Sequence, residues 1–127
     1  MLVRILIVDD SEVTGKLLSS LLTEKGFQVK VLTEGAGVVN EAMKFNPNLI
    51  LMDLLLADID GADAVKLLLK HRRTADIPIL FLSAILEKND QQSNTISVNE
   101  REFPALSKSI TSMELLNSIN KALKKNR

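Results

Sequence analysis

Cysteine is missing from the whole chain, which excludes disulfide staples and thiolate-held metal and gives no sign of an oxidising compartment. Histidine occurs once, as His71, and one imidazole without thiolates cannot assemble a zinc centre. Tryptophan and tyrosine are absent as well, leaving neither ring to stack on a flavin. Net charge is also lacking, because sixteen basic residues cancel sixteen acidic ones. A domain that grips nucleic acid through its overall charge needs a basic surplus, so no direct nucleic-acid contact is expected. The longest apolar stretch, Leu49 to Ala57, is interrupted by Asp53 and is far too short to span a bilayer. The N-terminal apolar run carries neither a basic leader nor a small-residue cleavage site. It reads as a strand rather than a signal peptide, and a cytoplasmic location without membrane contact is expected. Glycine is scarce, and its one cluster, Gly35-Ala36-Gly37, lacks the lysine and spacing of a phosphate loop.

What is present is an alternation of two patterns. A chain of 127 residues suits one domain with one core, spanning 1–127. Val3 to Val8 is a nearly continuous apolar, β-branched run, as expected of a strand buried on both faces. Val13, Leu17, Leu18, Leu21 and Leu22 then recur at helical spacing, with Asp10 or Ser11 as cap and Gly26 as stop. Phe27 to Leu32, Leu49 to Met52 and Ile79 to Leu82 read as further strands. Val38 to Phe45 and Ala64 to Lys70 read as the helices between them. Phe103 to Ser107 is the last strand, and Thr111 with Glu114 forms a capping box for the last helix. Strand and helix alternating in this order predict right-handed βαβ units around a parallel sheet, an α/β fold. The polar stretch from Glu87 to Glu102 fits least well. Ile96 and Val98 suit a short strand as well as a helix, and a poorly formed fourth helix is predicted there.

In an open parallel sheet, ligands bind at the carboxyl ends of the strands. Those ends carry Asp9 and Asp10, Asp53, Ser83 and Lys108. Three neighbouring carboxylates repel one another, and an all-oxygen cluster selects a hard divalent cation such as Mg²⁺. Asp53 is then placed as a nucleophile toward phosphorus, Lys108 as a second positive charge and Ser83 as a hydroxyl donor to a phosphoryl oxygen. Each residue also has an ordinary reading. Asp9 and Asp10 can cap the first helix, Asp53 and Ser83 can be turn residues, and Lys108 can be a surface lysine.

Taken together and in order, "RILIVDD", "NLILMD", Asp60-Gly61, "IPILFLSA" and Lys108 resemble the receiver domain of two-component response regulators along essentially the whole chain. The resemblance implies a flavodoxin-like doubly wound sheet of five parallel strands, in order 2-1-3-4-5, with helices on both faces. It implies a phosphoacceptor in signalling rather than an enzyme, with Asp53 taking a phosphoryl group from a sensor histidine kinase or a phosphotransfer protein. Lys108 and Ser83 would contact that group. Mg²⁺ would be held by Asp10, Asp53 and the backbone carbonyl of Leu55, with Asp9 acting through water. An output partner, or a homodimer, would use the face made by the fourth helix, fifth strand and fifth helix.

Several positions depart from the family pattern. Ser109 stands where a proline usually follows the lysine, and Ala57 stands where a proline often follows the aspartate. Ala105 occupies the place of the aromatic switch residue, with Phe103 one pair earlier on the same strand face. These departures keep a second reading open, a degenerate receiver acting as a phosphorylation-independent protein-binding module. Leu55 and Ile85, each two residues past a site residue, predict slow self-dephosphorylation, because neither can hold a hydrolytic water.

Overall fold

In the computed structural model, residues 2–86 and 94–125 are described. The apolar runs become β1 (Arg4–Val8), β2 (Gln28–Leu32), β3 (Leu49–Asp53) and β4 (Ile79–Ser83). Two more strands follow, β5 (Asn94–Val98) and β6 (Arg101–Ser107). The helices are α1 (Glu12–Glu24), α2 (Val38–Phe45), α3 (Gly61–Leu69) and α4 (Ser112–Lys125). The sheet has six strands in the order β2-β1-β3-β4-β6-β5, parallel throughout except for β5 at one edge.

Because β3 and β4 are covered from both sides, all five residues of each are buried, which explains their uninterrupted apolar sequence. Leu6, Val8, Ile50, Met52 and Phe81 pack with α2 and α3 on one face. Ile5, Ile7, Leu49, Leu51, Leu80 and Leu82 pack with Leu22, Leu115 and Ile119 of α1 and α4 on the other. Burying each such large aliphatic stabilises the fold by about 2 kcal/mol. The helix ends follow the residues that signal them. Ser11 caps α1 by accepting from the Thr14 N–H at 3.3 Å. Asn46, left-handed at φ 53°, closes α2 ahead of Pro47. Thr111 and Glu114 exchange the two bonds of a capping box at 3.2 and 3.1 Å.

The polar segment corrects the expectation. Residues 94–98, predicted as part of a fourth helix, form a strand that pairs antiparallel with β6, from Asn94 opposite Ala105 to Val98 opposite Arg101. Residues 99 and 100 of that prediction form the hairpin turn, 101 and 102 begin β6, and 87–93 lie outside the described residues. The physical reason is facial. On a helix, Ile96 and Val98 would point about 200° apart, whereas on a strand they share one face. There they join the cluster of Phe103, Ala105 and α3. The sheet therefore has six strands instead of five. The expected face of fourth helix, fifth strand and fifth helix is replaced among the described residues by the β5–β6 hairpin beside α4.

Candidate functional site

Parallel strands deliver their carboxyl ends to one edge. Val8 pairs with Met52, Asp53 with Leu82, and Ser83 with Ser107. Asp9 therefore leaves the sheet beside Asp53, and Lys108 leaves it beside Ser83. The ligand-capable oxygens of Asp9, Asp10 and Asp53 lie within 4.8 Å of one another, Asp9 and Asp53 buried and Asp10 exposed. The Lys108 ammonium lies 2.8 Å from Asp9 Oδ2 and 3.3 Å from Asp53 Oδ2. The second oxygen of Asp9 accepts the Ser11 N–H at 2.9 Å, and Asp53 Oδ1 accepts the Leu55 N–H at 3.4 Å. Ser83 is buried, its Oγ accepting the Ile85 N–H at 3.2 Å and its carbonyl accepting the Lys108 N–H at 3.0 Å. All the residues singled out in the sequence thus converge on one pole.

The electrostatics of this pole are unbalanced. Burial pushes the Asp53 carboxyl above its ordinary value and the Asp9 charge adds to the push; Lys108 and the Leu55 N–H pull the other way without cancelling it. Burial alone would lower the Lys108 ammonium, but hydrogen bonds and charge from Asp9, then Asp53, outweigh it and hold the group above its usual value. One ammonium pairs with two of the three carboxylates. The donors are all oxygen, close together and under-neutralised, which is the chemistry of a Mg²⁺ site that uses few carboxylates and retains water. The residues present fit that ion.

Three supporting features were not evident from the sequence. Where a proline was expected, the Ser109 N–H donates to the buried Ser107 hydroxyl at 3.0 Å, so a hydrogen bond steadies the Lys108 turn. Gly61 is a steric requirement, since a Cβ there would collide with the Asp53 carbonyl. Its sequence signal was the Asp60-Gly61 pair, one of the motifs that carry the family resemblance. Asp58, in the loop after β3, accepts two N–H groups from the turn after β2. Ala105 is buried opposite Phe81, and Phe103 is held edge-to-face against Phe81 at 6.2 Å with the Arg101 guanidinium over its ring at 5.0 Å. Phe103 is therefore buried and packed against Phe81.

The family model "Response regulator receiver domain" matches residues 5–120. The chain belongs to the response regulator receiver family. Among curated proteins, the receiver is 36% identical over 88 residues to "DNA-binding dual master transcriptional regulator RpaA" of Synechocystis, covering 69% of this chain and 36% of that protein. It is 30% identical over 121 residues to "Transcriptional regulatory protein GltR" of Pseudomonas aeruginosa, covering 95% of this chain and 49% of that one. This chain thus spans half or less of the length of these two relatives. Among solved structures, a CheY-like receiver domain protein from Methanospirillum hungatei superposes with a TM-score of 0.83 at 21% identity, covering 99% and 97% of the two chains. That likeness carries the flavodoxin-like, CheY-like fold. No described helix of the receiver is long and apolar enough to cross a membrane.

Proposed function

We propose that this receiver accepts a phosphoryl group on Asp53 from the phosphohistidine of a sensor kinase or phosphotransfer protein, with Mg²⁺, and changes its partner binding accordingly. The observation that carries the reading is the Lys108 ammonium shared between Asp9 and Asp53 at 2.8 and 3.3 Å, within one cluster of three carboxylates. Asp10, Asp53 and the Leu55 carbonyl would hold the cation directly and Asp9 through water. When bound, Mg²⁺ supplies positive charge that offsets the carboxylates and the incoming phosphoryl oxygens.

In the step itself, an Asp53 carboxylate oxygen forms the new bond to phosphorus while the phosphorus–nitrogen bond to the donor imidazole breaks. The electron pair leaves with the imidazole, which takes up a proton. Lys108 places its charge beside the transferred oxygens, and the Ser83 hydroxyl turns its hydrogen toward one of them. Ser83 can do so while still accepting from Ile85, because a hydroxyl accepts and donates at once. Val13 and Leu17 on α1 are largely exposed, and a groove of about 390 Å³ between α1 and α4 runs from Leu17 and Leu21 to Lys108. An apolar surface reaching the site supports docking of a protein phosphodonor there.

Ala105 and the hairpin in place of a helix favour a second reading, a module that binds protein regardless of phosphorylation. One measurement separates the two. After incubation with Mg²⁺ and acetyl phosphate or phosphoramidate, the intact mass should rise by one phosphoryl group, and the gain should vanish in Asp53→Ala. An unchanged mass in the wild type would sink the phosphoacceptor reading in favour of the constitutive module.

A further inference from the structure

The chain leaves Asp53 directly into a loop, residues 54–60, that carries Leu55. The base of this loop is closed. The Gly61 N–H donates to the Leu54 carbonyl at 2.8 Å, and Leu55 and Asp60 form an isolated antiparallel bridge. Its outer part is tied elsewhere. Asp58 Oδ1 accepts the Gly35 N–H at 3.0 Å, and Oδ2 accepts the Ala36 N–H at 2.9 Å. Both amides belong to the turn between β2 and α2. Leu56 and Ile59, on either side of Asp58, pack so closely on Gly35 that an added Cβ would lie 2.9 Å from each. These apolar contacts set how near the two loops approach, while the paired N–H bonds set their orientation.

β2 and β3 flank β1 on opposite sides in the sheet. A tie between the loops that follow them therefore spans the end of β1, the strand that delivers Asp9 and Asp10. We infer that Asp58 is a positioning residue for cation binding, presetting the Leu55 segment against the Asp9 and Asp10 carboxylates before any cation arrives. This rests on the Mg²⁺ reading above. Untied, the loop must be ordered at the moment of binding, and the lost freedom is subtracted from affinity. Asp58 itself touches neither the acidic cluster nor Lys108 in any hydrogen bond, so its action is through the loop. The Ala36 and Gly35 N–H groups also hold the Asp58 carboxyl below its ordinary value, since both bonds favour its charged form.

The test is a calorimetric Mg²⁺ titration of the wild type, Asp58→Ala and Asp58→Asn, with phosphoramidate phosphorylation followed by intact mass over a Mg²⁺ series. Asp58→Ala should weaken Mg²⁺ binding roughly threefold to tenfold, the affinity lost when a loop must be ordered on binding. Asp58→Asn, which keeps one acceptor oxygen for one of the two amides, should fall between. The Mg²⁺ concentration giving half the maximal phosphorylation rate should move by the same factor, with the rate at saturating Mg²⁺ unchanged. Unaltered Mg²⁺ affinity in both variants overturns the inference, as does a lowered plateau with an unmoved midpoint, the signature of a generally loosened site. Absence of Mg²⁺ binding by the wild type overturns it outright. If the wild type binds Mg²⁺ but gains no phosphoryl group, the phosphoacceptor reading fails, and the Asp58 tie stands or falls on the calorimetry.

Discussion

Leu55 and Ile85 are 56% and 66% exposed, unusual for large aliphatics, and each is tied by its backbone N–H to a site residue. Leu55 donates to Asp53 and Ile85 to Ser83, and the receiver-family resemblance would set their side chains beside the place where an acyl phosphate forms. Neither can hydrogen-bond a water and aim it at phosphorus. The phosphoryl group should therefore persist, and Leu55→Asn should shorten its lifetime several-fold by supplying a polar anchor for that water. Phosphate loss from purified phosphoprotein, followed by intact mass, checks this; equal decay in both proteins would refute it. The identities of the acids, hydroxyl and lysine were legible in the sequence because strand ends can be read from apolar runs. That Lys108 reaches Asp9, 99 positions away, at a shorter distance than Asp53 was not legible. Nor was the bond from Ser109 to Ser107 that stands in for the proline. Such distances depend on how far two loops curl, which no local pattern records.

At the scale of elements, the departure lies in the β5–β6 hairpin. Its turn residues, Asn99 and Glu100, both have positive φ, 50° and 67°. Consecutive left-handed residues match the mirror-image turns that suit the twist of paired strands. Asparagine tolerates this conformation, whereas for glutamate it costs about 1–2 kcal/mol. Glu100→Gly should thus stabilise the protein by roughly 0.5–1 kcal/mol after the extra unfolded-state freedom of glycine is set against the relief. Chemical denaturation reads the gain, and slower hydrogen exchange of the β5 amides should accompany it; unchanged or lower stability would show that the turn is unstrained. The other elements were legible because burial on both faces writes a continuous apolar strand and burial on one face writes a helical stripe. Five residues with two aliphatics at alternate positions support either element. Only the exposed edge of β6, with Phe103 and Ala105 awaiting cover, decided for a strand.

For the whole molecule, titrations at the acidic pole couple to stability. The Asp53 pKa is raised on folding, so its neutral form is favoured in the folded state. Its contribution is present at low pH and is lost as pH rises from the ordinary carboxylate value through the raised one. The metal-free protein at neutral pH therefore carries a cost that Asp53→Asn removes. The variant should melt a few degrees higher, about 1 kcal/mol more stable, and the gain should shrink at acidic pH where Asp53 is protonated. Mg²⁺ should raise the wild-type midpoint by binding the folded state alone, and should raise that of Asp53→Asn less. Lys108 runs in the same sense at the alkaline end: its raised pKa gives stability that disappears as pH climbs through the folded value. Thermal melts across pH, with and without Mg²⁺, check both limbs; equal melting of the wild type and Asp53→Asn at neutral pH would show that the buried carboxylate is not under strain.

The sequence alone determined the parallel sheet, the pole at which chemistry gathers and the residues that gather there. Buried strands and their polar termini are written locally, and the direction of a parallel sheet then sends every carboxyl end to one edge. Tertiary structure decided the rest. Whether 94–98 coils or pairs, which carboxylate holds the lysine, and how Asp58 fastens one loop to another all turn on contacts between segments far apart in the chain. Their energies exist only once the sheet has brought those segments together.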